Sequence, residues 1–164
     1  MTSDNYHYAF DDEYSGIPKE LKTDVMLFPP PTSRDTKGIT IKALWDTGAT
    51  HSCISQKIAD DLGLKPIDTT IVHGVNNSQV ANIVIASIGL TNGLFFPDKR
   101  FSVSKIPGAD ILIGMDIIMK GDFAISNGGG KTRFSFVVPS FKEKISFTEK
   151  ADEINNMKNK LLFL

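Results

Sequence analysis

The sequence predicts an all-β domain, a small barrel or sandwich carrying one or two short helices, with an amphipathic helix at its C-terminal end. Two observations point to strands. "ITIKALWD" (39–46), "TTIVHGV" (69–75) and "VANIVIASIGL" (80–90) are rich in Ile, Val and Thr, side chains that pack well on a pleated, half-buried surface. Gly, Asn and Pro punctuate these runs about every ten residues, as turns between short strands do. A third observation confines helix to the margins: only a few short stretches outside these runs carry helical spacing.

The elements follow in order. Residues 1–37 read as a mobile N-terminal tail and lead-in, because the first sixteen hold four acids and no Lys or Arg and neither alternate nor follow a helical period. Prolines 29–31 and Gly38 then set the start of the globular part just before Ile39. Ser55 can cap "QKIADDLG", with Ile58, Ala59 and Leu62 on one side and Gly63 as the stop. "MDIIMKG" after Gly114 makes one or two further turns. "FAISNGGGKTRFSFVV" is a hairpin whose loop runs from Asn127 to Gly130, with Phe134 and Phe136 on one face. The domain is expected to span 38–141. Over 142–164, Ser146 and Glu149 have capping-box spacing, and Ala151, Ile154, Met157 and Leu161 recur at helical intervals, giving a helix that docks on the domain or on a partner.

Composition narrows the function. At 164 residues the chain is one domain of ordinary size. Lys+Arg 18 against Asp+Glu 19 gives no basic surface for nucleic acid or anionic lipid, and no apolar run is long enough to span a bilayer. The N-terminal residues lack the basic start and apolar stretch of a secretory leader, so the expected setting is soluble and cytoplasmic. Cys53 is the single cysteine, which excludes an internal disulfide and a cysteine-based metal cluster. His7, His51 and His73 have no zinc-ligand spacing, and no cofactor is expected.

One stretch carries chemistry: Ala43–Ser52, "ALWDTGATHS". An Asp-Thr-Gly alone is readily a turn. Here it ends an apolar strand and is followed by "ATHSCIS", which resumes the strand pattern ahead of the Ser55-capped helix. A second apolar strand ending in glycine, "ADILIGMDII", places Gly114 68 residues after Asp46.

These features in this order resemble the retropepsin-like aspartic proteases, the single-domain relatives of pepsin found in retroviruses and in bacterial and phage-borne forms. The likeness spans about residues 38–138: "LWDTGAT", "QKIADDLG", "IVHGVNNSQV", "ILIGMDII". It implies a pepsin/retropepsin-like closed barrel. Asp46 matches the catalytic aspartate, Thr47 and Gly48 the residues that lock its loop, and Ala49 the small residue beside the substrate. Gly74, Val75, Asn76 and Asn77 match the flap that folds over bound peptide, and Ile113 and Gly114 the structural second motif. Water is too poor a nucleophile to attack an amide unaided; it needs a base and an acid. Two nearby carboxylates sharing one proton supply both, aspartic proteases being the known example. The chain holds one such motif, so the resemblance implies a homodimer with an Asp46/Asp46′ dyad acting on peptide or protein substrates. Two departures stand out. Asn76 and Asn77 replace glycine at the flap tip, and Met115 stands where retroviral members carry arginine, so the interface is expected to rest on the strand near Phe134–Val138 or on the C-terminal helix. Asp116 is read as a cap of the helix after Gly114.

Competing signals are weaker. "GGGKT" (128–132) lacks the first glycine of a phosphate loop, Ile125 standing in its place. His51 and Cys53 share a face and form a conceivable nucleophile pair without a third orienting group. The rival reading of the whole is a catalytically silent peptide-binding or dimerisation module with the same fold. The apolar "MLFPPP" motivates an expectation of self-processing ahead of the core.

Overall fold

"LKTDVMLF" alternates strictly, and the strand it forms buries Thr23, Val25 and Leu27 while Lys22, Asp24 and Met26 face outward. In the computed structural model, which describes residues 6–31, 37–73 and 78–161, this is β2 (Leu21–Phe28), preceded by β1 (Tyr8–Tyr14). There follow β3 (Ile39–Trp45), β4 (Cys53–Ile54), α1 (Gln56–Asp61), β5 (Asp68–His73), β6 (Ser78–Gly89), β7 (Phe95–Val103), β8 (Ile111–Ile113), α2 (Met115–Ile118), β9 (Asp122–Ser126), β10 (Thr132–Val138) and α3 (Phe147–Leu161).

Seven strands pair in the order β2-β3-β8-β4-β7-β6-β5, and β2 pairs again with β6 from Met26↔Gly89 to Phe28↔Ser87. That second pairing closes a barrel and leaves β5 outside it as a flange, hydrogen-bonded to β6 from Asp68↔Ile83 to His73↔Ser78. Closure removes the open edges that a sheet of short strands would otherwise expose. β3 and β8 run parallel, with Trp45 beside Ile113, while β4 lies antiparallel to β8 and parallel to β7. The barrel interior is filled by Leu27, Ile54, Phe101, Ile111 and Ile113, none with accessible surface.

A second sheet, β1-β10-β9, caps one side. Phe10, Phe134 and Phe136 project from it onto Trp45, whose ring centroid lies 4.9 Å from Phe134 and 5.0 Å from Phe136. Trp45 Nε1 donates to Thr23 Oγ1 at 2.9 Å, which satisfies a buried indole that would otherwise cost about 1–3 kcal/mol. Trp45 is thus held on all sides one residue before Asp46.

The expected all-β barrel with short helices and a C-terminal helix is what the chain forms, and the N-terminal reading is corrected. Residues 8–14 are not a tail: β1 pairs along its length with β10, from Tyr8↔Val138 to Tyr14↔Thr132, and Phe10 is core. The inward row is Phe10, Asp12 and Tyr14, and the acid in its middle disguises the alternation. Nor does the domain begin at Ile39. The prolines end β2 rather than precede the fold, since proline has no N–H for the ladder. Within "MLFPPP", Leu27 is buried between β3 and β6 while Met26 is exposed.

Ser55 Oγ caps α1 by accepting from Ile58 N at 3.3 Å, and the β9–β10 hairpin turns through residues 127–131, closed by Thr132 Oγ1 donating to Asn127 Oδ1 at 2.6 Å. Ser146 Oγ accepts from Glu149 N at 3.2 Å at the start of α3. Phe147, Ile154 and Met157 of that helix stay exposed on the protomer. Among the described residues no helix is long and apolar enough to cross a membrane.

Candidate active site

The parallel pairing of β3 with β8 delivers Asp46 to the end of the barrel. Its backbone N–H extends that ladder to Ile113 O at 3.0 Å. The chain then reverses in a tight turn, Ala49 N donating to Asp46 O at 3.2 Å. Gly48 N donates to Asp46 Oδ1 at 2.8 Å, and a Cβ on Gly48 would stand 3.1 Å from that same oxygen, so glycine lets the backbone donor come this close. Among the described residues the Asp46 carboxylate has no other hydrogen-bond or ion-pair partner. One oxygen is fixed by the loop and the other is open.

Thr47 is exposed, and its hydroxyl has no partner among the described residues. Ala49 is half-buried and its carbonyl accepts from Met115 N at 2.8 Å. Ile113 is fully buried between β3 and β4. Gly114 sits where a Cβ would be 2.7 Å from His51 C and 2.9 Å from Ala49 O, so this crossing of two chain segments has no room for a side chain. Gly74, Val75, Asn76 and Asn77, the expected flap tip, lie outside the described residues.

Two cavities meet this loop. One of about 800 Å³ runs from Gly48–His51 past Cys53 and Leu112 to the faces of β5 and β7. A second, about 410 Å³, lies between Asp46, the β1–β2 connection at 17–21 and the β9–β10 hairpin. The first is walled by apolar Ile83 and Leu112 and rimmed by Arg100, whose guanidinium pairs with Asp68 at 2.8 Å. Its size and mixed lining suit a few residues of extended peptide.

The cysteine nucleophile gains nothing from this geometry. Burial pushes the Cys53 thiol up, against a hydrogen bond with Ser104, and the nearby Asp46 and Asp116 charges push it further. A nucleophilic cysteine needs the opposite environment. Among the described residues no three His, Cys, Asp or Glu converge to hold a metal ion.

Asp116 does not cap α2. Gly114 occupies the N-cap, and Asp116 Oδ1 instead accepts from Ser52 N at 2.9 Å and from Ser52 Oγ at 2.7 Å. Ser52 is fully buried and its Oγ also accepts from Gly114 N at 3.0 Å. Ser52 lies just ahead of β4, two residues before buried Ile54, and nothing in the local sequence marks Asp116 as its partner.

A barrel with an Asp-Thr-Gly turn at the end of one strand, tied to a parallel strand that ends in glycine, defines the retropepsin-like class of aspartic protease. Residues 35–120 match the family described as "gag-polyprotein putative aspartyl protease", and the chain belongs to that family. Among solved structures it is similar to a retropepsin-like aspartic protease from Rickettsia conorii, with a TM-score of 0.54 at 15% identity, covering 81% of this chain and 96% of that one. Simian foamy virus protease aligns with a TM-score of 0.43 at 17% identity over 60% of this chain and 92% of its own. The retroviral protease-like domain of Ddi1 from Leishmania major gives 0.40 at 21% identity over 66% and 93%. No curated protein matches the chain.

Proposed function

We propose that the protein is an aspartic endopeptidase, active as a homodimer in which Asp46 from each protomer forms one dyad. The observation that carries this is the Asp46 carboxylate itself, with one oxygen held by Gly48 N–H at 2.8 Å and the other without a partner among the described residues, in a turn whose Gly48 and Ala49 line the cleft of about 800 Å³. A lone carboxylate can take a proton from water or give one to the leaving amide nitrogen, and both roles are needed at once. A second Asp46 brought up across a twofold axis supplies the missing partner, and two carboxylates at close range hold a single proton between them. The exposed Thr47 hydroxyl supports the same reading, since on the protomer it lies beside Asp46 and bonds to nothing in the described chain.

Substrate enters as an extended peptide in the cleft against β5, whose outer edge carries unpaired backbone groups suited to strand addition. β10 does not serve as the sheet-forming dimer edge, because β1 and β9 already flank it; the outer edge of β9 is the candidate for that role. The test is incubation of the wild type and Asp46→Asn with a mixed peptide library from mildly acidic to neutral pH, with products read by mass spectrometry. Cleavage by the wild type alone is expected. Identical product patterns, or none from either protein under dimeric conditions, would leave the silent binding module as the better account.

A further inference from the structure

The segment after the catalytic turn is bound to the β8–α2 junction with unusual density. Met115 N donates to Ala49 O, Gly114 N donates to Ser52 Oγ, and both the N–H and the hydroxyl of Ser52 converge on one oxygen of Asp116. Ser52 has no accessible surface, so water cannot reach it to replace its own partners. A carboxylate accepts only, and charge-assisted bonds to it are roughly twice as strong as neutral ones.

We propose that Asp116 is a positioning residue for catalysis: by clamping Ser52, it fixes the height and orientation at which the Asp46 turn is presented to the second protomer. The inference rests on the endopeptidase reading and adds to it a residue that touches neither substrate nor water. The β3–β8 ladder holds the start of the turn through Asp46 N to Ile113 O, Met115 N holds its middle through Ala49 O, and at its end Ser102 N donates to Ser52 O while Asp116 takes the Ser52 N–H and hydroxyl. Release of Asp116 leaves the Ser52 N–H without its acceptor and lets the end of the turn shift, and a displacement of about 1 Å in a reacting group is worth on the order of a hundredfold in rate.

The test compares Asp116→Ala and Asp116→Asn with the wild type, reading kcat and KM on one peptide and, separately, the chemical shift of the ¹³C-labelled Asp46 carboxyl at one pH. Asp116→Ala is expected to lose kcat by on the order of 10- to 100-fold with KM nearly unchanged, and to move the Asp46 resonance. Asp116→Asn keeps an acceptor for Ser52 and is expected to recover most of kcat and to return the resonance toward its wild-type position. Equal kcat per folded dimer in wild type and alanine variant would reduce Asp116 to scaffold and overturn the proposal. So would an asparagine variant no better than alanine. If the wild type cleaves no peptide, the endopeptidase reading fails; the carboxyl resonance still decides the inference, and one identical in all three proteins refutes it. Should the alanine variant not fold, Ser52→Ala, which removes the hydroxyl half of the clamp, carries the same resonance test.

Discussion

Replacing Gly114 by alanine tests how tightly the Asp46 turn is pinned. The added Cβ would lie 2.7 Å from His51 C, 2.8 Å from His51 O and 2.9 Å from Ala49 O, whereas carbon atoms rest at about 3.5–4.0 Å. Every clashing atom is backbone, so no rotamer change relieves it; the 49–51 segment must retreat by several tenths of an ångström. That segment is not free to do so, because Ser52 N and Oγ are bonded to Asp116 and Ala49 O to Met115 N. Overpacking of this kind costs about 1–3 kcal/mol, which in a domain of this size corresponds to roughly 2–12 °C in Tm. The retreat also drags the turn that carries Asp46, so kcat should fall further than the loss of folded protein explains. Thermal denaturation followed by circular dichroism, and peptide cleavage at a temperature where both proteins are folded, measure the two effects. A Gly114→Ala protein with wild-type Tm and wild-type kcat would show that the contact yields, and the pinning of the turn would have to be abandoned.

Three further outcomes follow from the same geometry. Thr23→Val removes the acceptor of the buried Trp45 Nε1 and should cost about 1–3 kcal/mol in a urea titration; an unchanged midpoint would mean the indole finds another acceptor. Asp12 has its carboxyl raised above the usual range, by burial first and then by the facing Asp24, with Lys42 opposing. A raised acid favours the folded state while protonated, and this contribution is lost as pH rises through its folded value, so Asp12→Asn should stabilise the protein near pH 7 and lose that advantage in acid; an equal gain at pH 3 and pH 7 would contradict this. Half-buried Cys53, with its thiol raised first by desolvation, should react with iodoacetamide at pH 8 more slowly in the folded protein than in urea, and equal rates would contradict that raised thiol.

What could be read in the sequence was what repeats locally. β3 and β6 are long and β-branched, Ser55 and Gly63 bracket α1, and the hairpin around residues 127–131 has residues that accept positive φ. The Asp46 turn was legible because an acid at the end of an apolar strand, followed by Thr-Gly, stands out from the strand pattern around it. β1 was not legible, since its inward row of Phe10, Asp12 and Tyr14 is held by a long-range partner, β10, more than a hundred residues on. β2 alternates cleanly, yet its prolines drew the boundary to the wrong side. The Ser52–Asp116 clamp joins residues 64 positions apart, and nothing in either neighbourhood announces the other; only the crossing of the β4 and α2 segments at Gly114 brings them together.

The stiffness of this site is uneven, and the unevenness is informative. Behind Asp46, Trp45 is packed among four phenylalanines, Phe10, Phe123, Phe134 and Phe136, and below it Ile113 and Gly114 are sealed by backbone contact. In front, Asp46 offers an oxygen with no partner among the described residues, Thr47 is exposed, and a cavity of about 410 Å³ opens between the carboxylate and the 17–21 connection. A turn whose only role was to reverse the chain would not need so much support behind an unfilled face. Under the dimer reading the asymmetry has a cause: the supported side holds the carboxylate still, and the open side is completed by the same turn of a second copy. Isolated protomers, obtained by dilution below the dimer dissociation constant, should therefore keep their fold while activity per chain falls toward zero. Activity per chain independent of concentration through that range would defeat the half-site argument.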